Sequence, residues 1–112
     1  MSKIFVANSK IHFMEGLKVL KDQGNEIVSV TENDVDIFHT DRLMFHINQV
    51  LDSNPVSSGD YVLLSGSNII NVLLCTAILK RTGILNVLMY GAKDKLYHKR
   101  ERVETLKLEE KK

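Results

Sequence analysis

Apolar residues in this chain fall into two patterns: short unbroken runs, and longer stretches in which they recur every three or four positions. Ile4-Phe5-Val6 is a short run and reads as a strand. From Phe13, apolar residues return at Leu17 and Leu20, with Met14 beside them, which is helical spacing. Gly16 weakens that helix, and Gly24 would end it. The stretch from Glu26 to Thr31 is rich in β-branched residues and reads as a second strand. The polar stretch from Glu32 to Asp36 follows as a loop. Thr40 is a suitable N-cap, and Asp41 puts a negative charge where the helix dipole favours it. Leu43, Ile47, Val50 and Leu51 then carry a helix to about Leu51. Ser53-Asn54-Pro55 and Ser57-Ser58-Gly59 have loop chemistry.

Tyr61-Val62-Leu63-Leu64 is apolar without alternation, as expected of a strand covered on both faces. Ser67 caps a helix predicted to run through Leu79, with Lys80 and Arg81 in its last turn and Gly83 past its end. That helix is apolar nearly all round, so it is either central or covered by a partner. Ile84 to Tyr90 reads as a strand, Gly91-Ala92-Lys93-Asp94 as a turn, and Lys95-Leu96-Tyr97-His98 as a hairpin partner. Strands alternating with helices predict an α/β fold with a mainly parallel sheet of four or five strands flanked by helices. A C-terminal antiparallel hairpin closes it.

The chain has 112 residues, the size of one compact domain. Pro55 is its one proline, and neither a linker nor a repeat divides it. The expected organisation is a single domain over residues 1–100 and a charged tail over 101–112. From Lys99 onward ten of fourteen residues are Lys, Arg or Glu, which reads as a solvated helix or a frayed end. The formal net charge of +1 gives no global pointer to nucleic acid or to an acidic substrate. A single cysteine excludes an internal disulfide framework. The apolar stretch at the N-terminus is too short for a signal peptide, and no run reaches the roughly 20 apolar residues of a membrane span. These features predict a protein of a reducing, intracellular compartment.

Ligands of open parallel sheets bind outside the carboxyl ends of the strands. Three segments leave the sheet there: Asn8-Ser9, Thr31-Glu32-Asn33 and Ser65-Gly66-Ser67. The candidate ligand-binding residues are therefore Asn8, Arg42, Ser65, Gly66, Ser67 and Asn68. Ser67, Asn68 and the free N–H groups of their helix start would hold a phosphate or carboxylate, Gly66 would let it approach the backbone, and Arg42 would add a charged fork. The competing reading is a plain strand-to-helix turn, which also needs a small residue and a cap. The stretch has no Walker lysine and is not G-x-G-x-x-G.

Other groups carry less. Asp34, Asp36 and His39 share one loop with no second cluster to complete a metal site, so neither a metal nor another cofactor is expected. His12 and His46 form no dyad, and Cys75 sits among apolar neighbours as core filling. Lys93, Lys95, Lys99, Arg100 and Arg102, with Tyr90, Tyr97 and His98, make the last hairpin locally basic. Asp94, Glu101 and Glu104 dilute that charge, so a surface hairpin is the better reading than a nucleic-acid face.

Phe38-His39-Thr40-Asp41-Arg42-Leu43, Asp60-Tyr61-Val62-Leu63-Leu64-Ser65-Gly66, the stretch from Gly83 to Tyr90 and the later Tyr97 together resemble small tailed-bacteriophage α/β proteins of no assigned activity. The resemblance spans roughly residues 3–98 and implies a viral origin and the host cytoplasm. A fainter likeness is to viral ring nucleases, anti-CRISPR proteins that degrade cyclic oligoadenylate. They too open with a strand ending in Asn, as Phe5-Val6-Ala7-Asn8 does, and their Gly-His-Asp-Ser-Thr segment precedes a helix resembling Ile69-Ile70-Asn71-Val72-Leu73. The histidine position is Ser67 here, so the catalytic residue of that family is missing. Cyclic-nucleotide binding survives such a change more readily than ring cleavage. Those proteins are dimers, and the all-apolar helix suits a homodimer independently.

The expected function is a phage-type binding protein of counter-defence or host takeover that recognises a nucleotide signal or a host protein. The alternatives are a nucleotide-cleaving enzyme using Arg42 and Ser67, and a nucleic-acid-binding accessory protein using the basic hairpin.

Overall fold

The structure is a computed structural model that describes residues 2–8, 18, 20–31, 39–64, 68–91, 93 and 96–105. Its elements are β1 (Lys3–Asn8), β2 (Glu26–Thr31), α1 (Thr40–Ser53), β3 (Tyr61–Leu63), α2 (Asn68–Thr82), β4 (Ile84–Gly91) and β5 (Leu96–Thr105). The strands form one sheet in the order β2-β1-β3-β4-β5. The first four run parallel, and β5 pairs antiparallel with β4. This is the expected α/β domain: a mainly parallel sheet between helices with a C-terminal antiparallel pair.

Strand order dictates which face each connection crosses. From β1 the chain steps to one side to make β2, then returns past β1 to make β3. Right-handed crossovers in opposite directions must run over opposite faces. Two cores reflect this. On one face Phe5, Val28, Val30 and Val62 pack against Leu43, Ile47 and Leu51 of α1 and Ile70, Leu74 and Ile78 of α2. On the other face Ile4, Val6, Leu63 and Leu88 pack with Leu20, which sits in a helical turn over residues 20–22 between β1 and β2. Because β1 and β3 are covered on both faces, their runs show no alternation.

The ends of the elements follow local chemistry. Gly24 and Gly83 adopt left-handed φ values of 91° and 78°. Each donates its N–H back into the turn it ends, to the carbonyls of Lys21 and Leu79. The start of α1 differs from the expected Thr40 cap. His39 is the N-cap and makes no side-chain cap bond, and Thr40 is already helical. The first helical bond runs from Leu43 N–H to the His39 carbonyl, so the turn opens one residue earlier than the residue types suggest. The expected helix from Phe13 and the expected Ser67 cap lie largely outside the described residues.

The last strand is much longer than the expected four-residue hairpin partner. It continues through Thr105 because its charged residues face solvent while its backbone pairs with all of β4. The pairing has one interruption. Leu85 faces Glu104 and Val87 faces Arg100, so Asn86 alone lies opposite Glu101, Arg102 and Val103. This bulge bends β5 and puts Arg102 at φ 53°, a left-handed conformation that residues other than glycine rarely adopt.

Asn86 closes the bulge. Its amide NH2 donates to the Ser58 carbonyl at 2.8 Å and the Asp60 carbonyl at 3.1 Å, and its Oδ1 accepts from Arg102 N–H at 2.9 Å. Asn86→Ala should strand two carbonyls and one N–H and lower the unfolding free energy by about 2–4 kcal/mol, as buried unsatisfied groups do. Asn86→Asp should be no milder, because a carboxylate cannot donate to either carbonyl. Urea unfolding of the three proteins checks this; an Asp variant as stable as wild type would contradict it.

Candidate functional site

The two ends of the sheet are built differently. At the amino end, backbone and side chains are tied together. Asp60, 7% exposed, accepts from Lys3 N–H through Oδ1 at 2.9 Å and from Ser57 N–H through Oδ2 at 2.8 Å. Ser2 Oγ donates to the Gly59 carbonyl, Lys3 Nζ donates to the Pro55 carbonyl, and Glu26 N–H donates to the Ser2 carbonyl. With Asn86 and Arg102 added, the network reaches every strand.

A polar hollow of about 170 Å³ lies against this network, walled by Ser58, Gly59, Tyr61, Asn86, Glu101 and Arg102. The Tyr61 hydroxyl donates to Glu101 Oε1 at 2.6 Å, and the Lys99 ammonium stands 5.5 Å from the centre of the Tyr61 ring. The hydrogen bond to Glu101, helped by burial and by the glutamate charge, pushes the Tyr61 phenol up to about 12. The Asp60 carboxylate is committed through both oxygens and the Asn86 amide through both ends. This end of the sheet is therefore a structural tie, and its volume is too small for a nucleotide. The sequence reading did not single out either residue. The signals were there: Asn86 interrupts the apolar run Ile84-Leu85-Asn86-Val87-Leu88, and Asp60 stands immediately before Tyr61-Val62-Leu63.

The carboxyl end is where the candidate residues were expected. Val6 pairs with Leu63, so β1 and β3 are neighbours and their ends emerge together at Asn8 and Leu64. The connections beyond them diverge, since the one after β1 covers the Leu20 face and α2 covers the other. Such a switch point opens a crevice between two strand ends. The structure brings to this end of the sheet the terminus of β1 at Asn8, the start of α2 at the exposed Asn68, and the first turn of α1 with the exposed Arg42. Ser65, Gly66 and Ser67 lie outside the described residues. Asp34 and Asp36 do as well, and among the described residues no group of three or more His, Cys, Asp or Glu is placed to hold a metal ion.

His46 is accounted for locally, since its Nε2 lies 2.7 Å from the Val30 carbonyl of β2. A carbonyl only accepts, so Nε2 carries the proton. The basic hairpin is mixed in the structure. Tyr90 and Tyr97 pack on each other at 5.1 Å, Tyr97 also touches the second core, and Glu101 and Glu104 stand among the exposed Lys99, Arg100 and Arg102.

A third feature is apolar. Between α2 and the β4–β5 pair runs a groove of about 360 Å³, lined chiefly by Leu64, Val72, Cys75, Thr76, Leu79 and Leu85, with Glu104 on its rim. Burial pushes the Cys75 thiol up to about 11, which lowers its thiolate fraction at neutral pH.

This fold and its divided edges define a small single-domain α/β protein with an open, mainly parallel sheet. Residues 17–103 match the family described as Phage Pam3 gp32-like protein, and the chain belongs to that family. It is a phage protein, in agreement with the first resemblance, and no described helix is long and apolar enough to cross a membrane. No curated protein and no solved structure matches the chain.

The Tyr61–Glu101 bond predicts a pH dependence. A phenol raised in the folded state from its ordinary value near 10 stabilises the fold fully below pH 10, and this contribution is lost as pH rises from 10 to about 12. Unfolding free energies measured from pH 9 to pH 12 should therefore fall less steeply for Tyr61→Phe than for wild type. Parallel slopes would show that the bond does not form in solution.

Proposed function

We propose that this phage protein acts in the host cytoplasm by binding, in counter-defence or host takeover, and that its ligand is a phosphate-bearing nucleotide held at the carboxyl end of the sheet. The observation that supports this reading is the strand order. With β1 beside β3 and their connections on opposite faces, the crevice falls between Asn8 and the chain leading from Leu64 to Asn68. A sequence run alone does not reveal that neighbourhood. In this reading the N-terminus of α2 supplies N–H groups and a favourable dipole, Gly66 leaves room for the phosphate, and Arg42 adds charge from the neighbouring helix.

The test is calorimetric titration of cyclic and linear adenine nucleotides into wild type, Gly66→Val and Arg42→Ala. Wild type should bind, Gly66→Val should not, and Arg42→Ala should bind at least about tenfold more weakly, the loss of one charge-assisted hydrogen bond. Binding unaffected by both changes would place the ligand elsewhere. No binding at all would direct the function to a host protein.

The same proposal includes pairing of two copies. Its support is α2, whose apolar residues are not confined to one face of the helix. Sedimentation at roughly 100 μM should report a dimer, that concentration lying well above the dissociation constants of specific dimers. A monomer there would remove this part of the reading.

A further inference from the structure

Helix α2 buries one side, through Ile70, Leu74, Ala77 and Ile78. At about 100° per residue, Val72, Thr76 and Leu79 lie on the opposite side. That side is apolar as well, and Val72 is 58% exposed. The groove described above runs along it, with Leu64 and Leu85 of the sheet as its other wall. Strand parity extends the apolar surface. Met89 shares a face with Leu85, four residues before it in β4, and Leu96 of β5 stands opposite Gly91 on the same face. Met89 and Leu96 are exposed, and among the described residues nothing covers them or Val72. A surface of this kind marks an interaction site.

We propose that this surface is the contact between two copies of the chain, with α2 of one lying antiparallel on α2 of the other about a two-fold axis between Cys75 and Thr76. The inference rests on the pairing proposed above and gives it a location. The first support is the pattern of the helix. Val72, Cys75, Thr76 and Leu79 line the groove, and their spacing of three, one and three reads the same in both directions. Larger apolar side chains stand at the ends and small ones at the centre. A two-fold contact demands such symmetry, because residue i meets j where j meets i. Val72 of each copy thus meets Leu79 of the other, and Cys75 and Thr76 let the helices approach closely.

The second support is charge. From Asn68 to Leu79 the helix has no charged residue, so two copies meet along it without repulsion. Antiparallel pairing also sets the positive end of each helix dipole beside the negative end of the other. A second copy therefore matches this surface in both shape and charge.

The test joins sedimentation to cross-linking. Wild type and Val72→Glu would be compared at roughly 100 μM, well above the dissociation constants of specific dimers. Val72 is exposed in the single chain and glutamate favours helix, so the variant should fold, which far-UV circular dichroism checks. Its dimer should be at least about a hundredfold weaker, since each contact would bury an unpaired carboxylate. In a Cys75→Ser background, the double variant Val72→Cys/Leu79→Cys should give a disulfide-linked dimer under mild oxidation, and either single change about tenfold less. Within one helix these positions are about 10 Å apart, too far to bridge each other. A wild-type dimer that persists in Val72→Glu, or a dimeric double variant that forms no link, would overturn this contact and leave the pairing itself standing. A wild-type monomer would overturn both and leave the surface to a different protein.

Discussion

The sheet depends on two polar side chains that fold into its interior at the amino end. Asp60 and Asn86 are buried, and a buried carboxylate or amide is tolerable only with its hydrogen bonds made. Each meets that demand by holding backbone from elsewhere in the chain. Asp60 joins the start of β1 to the loop before β3, and Asn86 joins that loop to the bulge of β5. Residues as far apart in sequence as Lys3, Asp60 and Arg102 are thereby fixed in one layer. Apolar packing drives the strands together, but it is indifferent to small slips along their length. Directional bonds at one end set the register.

Fixing one end has a consequence for the other. Because the strands are aligned at their starts, the ends of β1 and β3 emerge side by side, and the helices that follow take opposite faces. The carboxyl end is then the place where the chain opens, with Asn8, Asn68 and Arg42 contributed by three different elements. Residues of the amino end spend their polar atoms on one another. The polar groups that tie the backbone together are thus gathered at one end of the sheet.

Much of this architecture was legible from local pattern. The second strand runs from Glu26 to Thr31 as its β-branched residues indicate, and Gly24 and Gly83 stop the preceding helices as expected of residues free to adopt positive φ. The buried run from Tyr61 to Leu63 was recognisable because both faces are covered. Features that depend on distant partners were not legible. β5 reads as a charged tail because nothing in Lys99 to Glu104 alternates; its strand character comes from pairing with β4. The order β2-β1-β3 leaves no mark on any one segment. Asn86 looked like a polar lapse in a strand because its three partners are Ser58, Asp60 and Arg102, remote in sequence. Of the candidate site, the positions of Asn8, Arg42 and Asn68 at one end of the sheet followed from the alternation of strands and helices, whereas the adjacency of β1 and β3 needed the fold.

The bulge in β5 has a further effect, on how the protein behaves in a crowded cell. β5 is one of the two outer strands of the sheet, and a flat outer strand of ten residues offers a template on which another chain can polymerise. Here three residues stand opposite one, Arg102 turns the backbone into a left-handed step, and the exposed Lys99, Arg100 and Glu104 charge the surface on either side of it. An incoming strand would lose its ladder at that step and would have to bury the charges beside it. The irregularity that Asn86 holds in place thus also works against aggregation, allowing a small protein to accumulate without fibres growing from its edge.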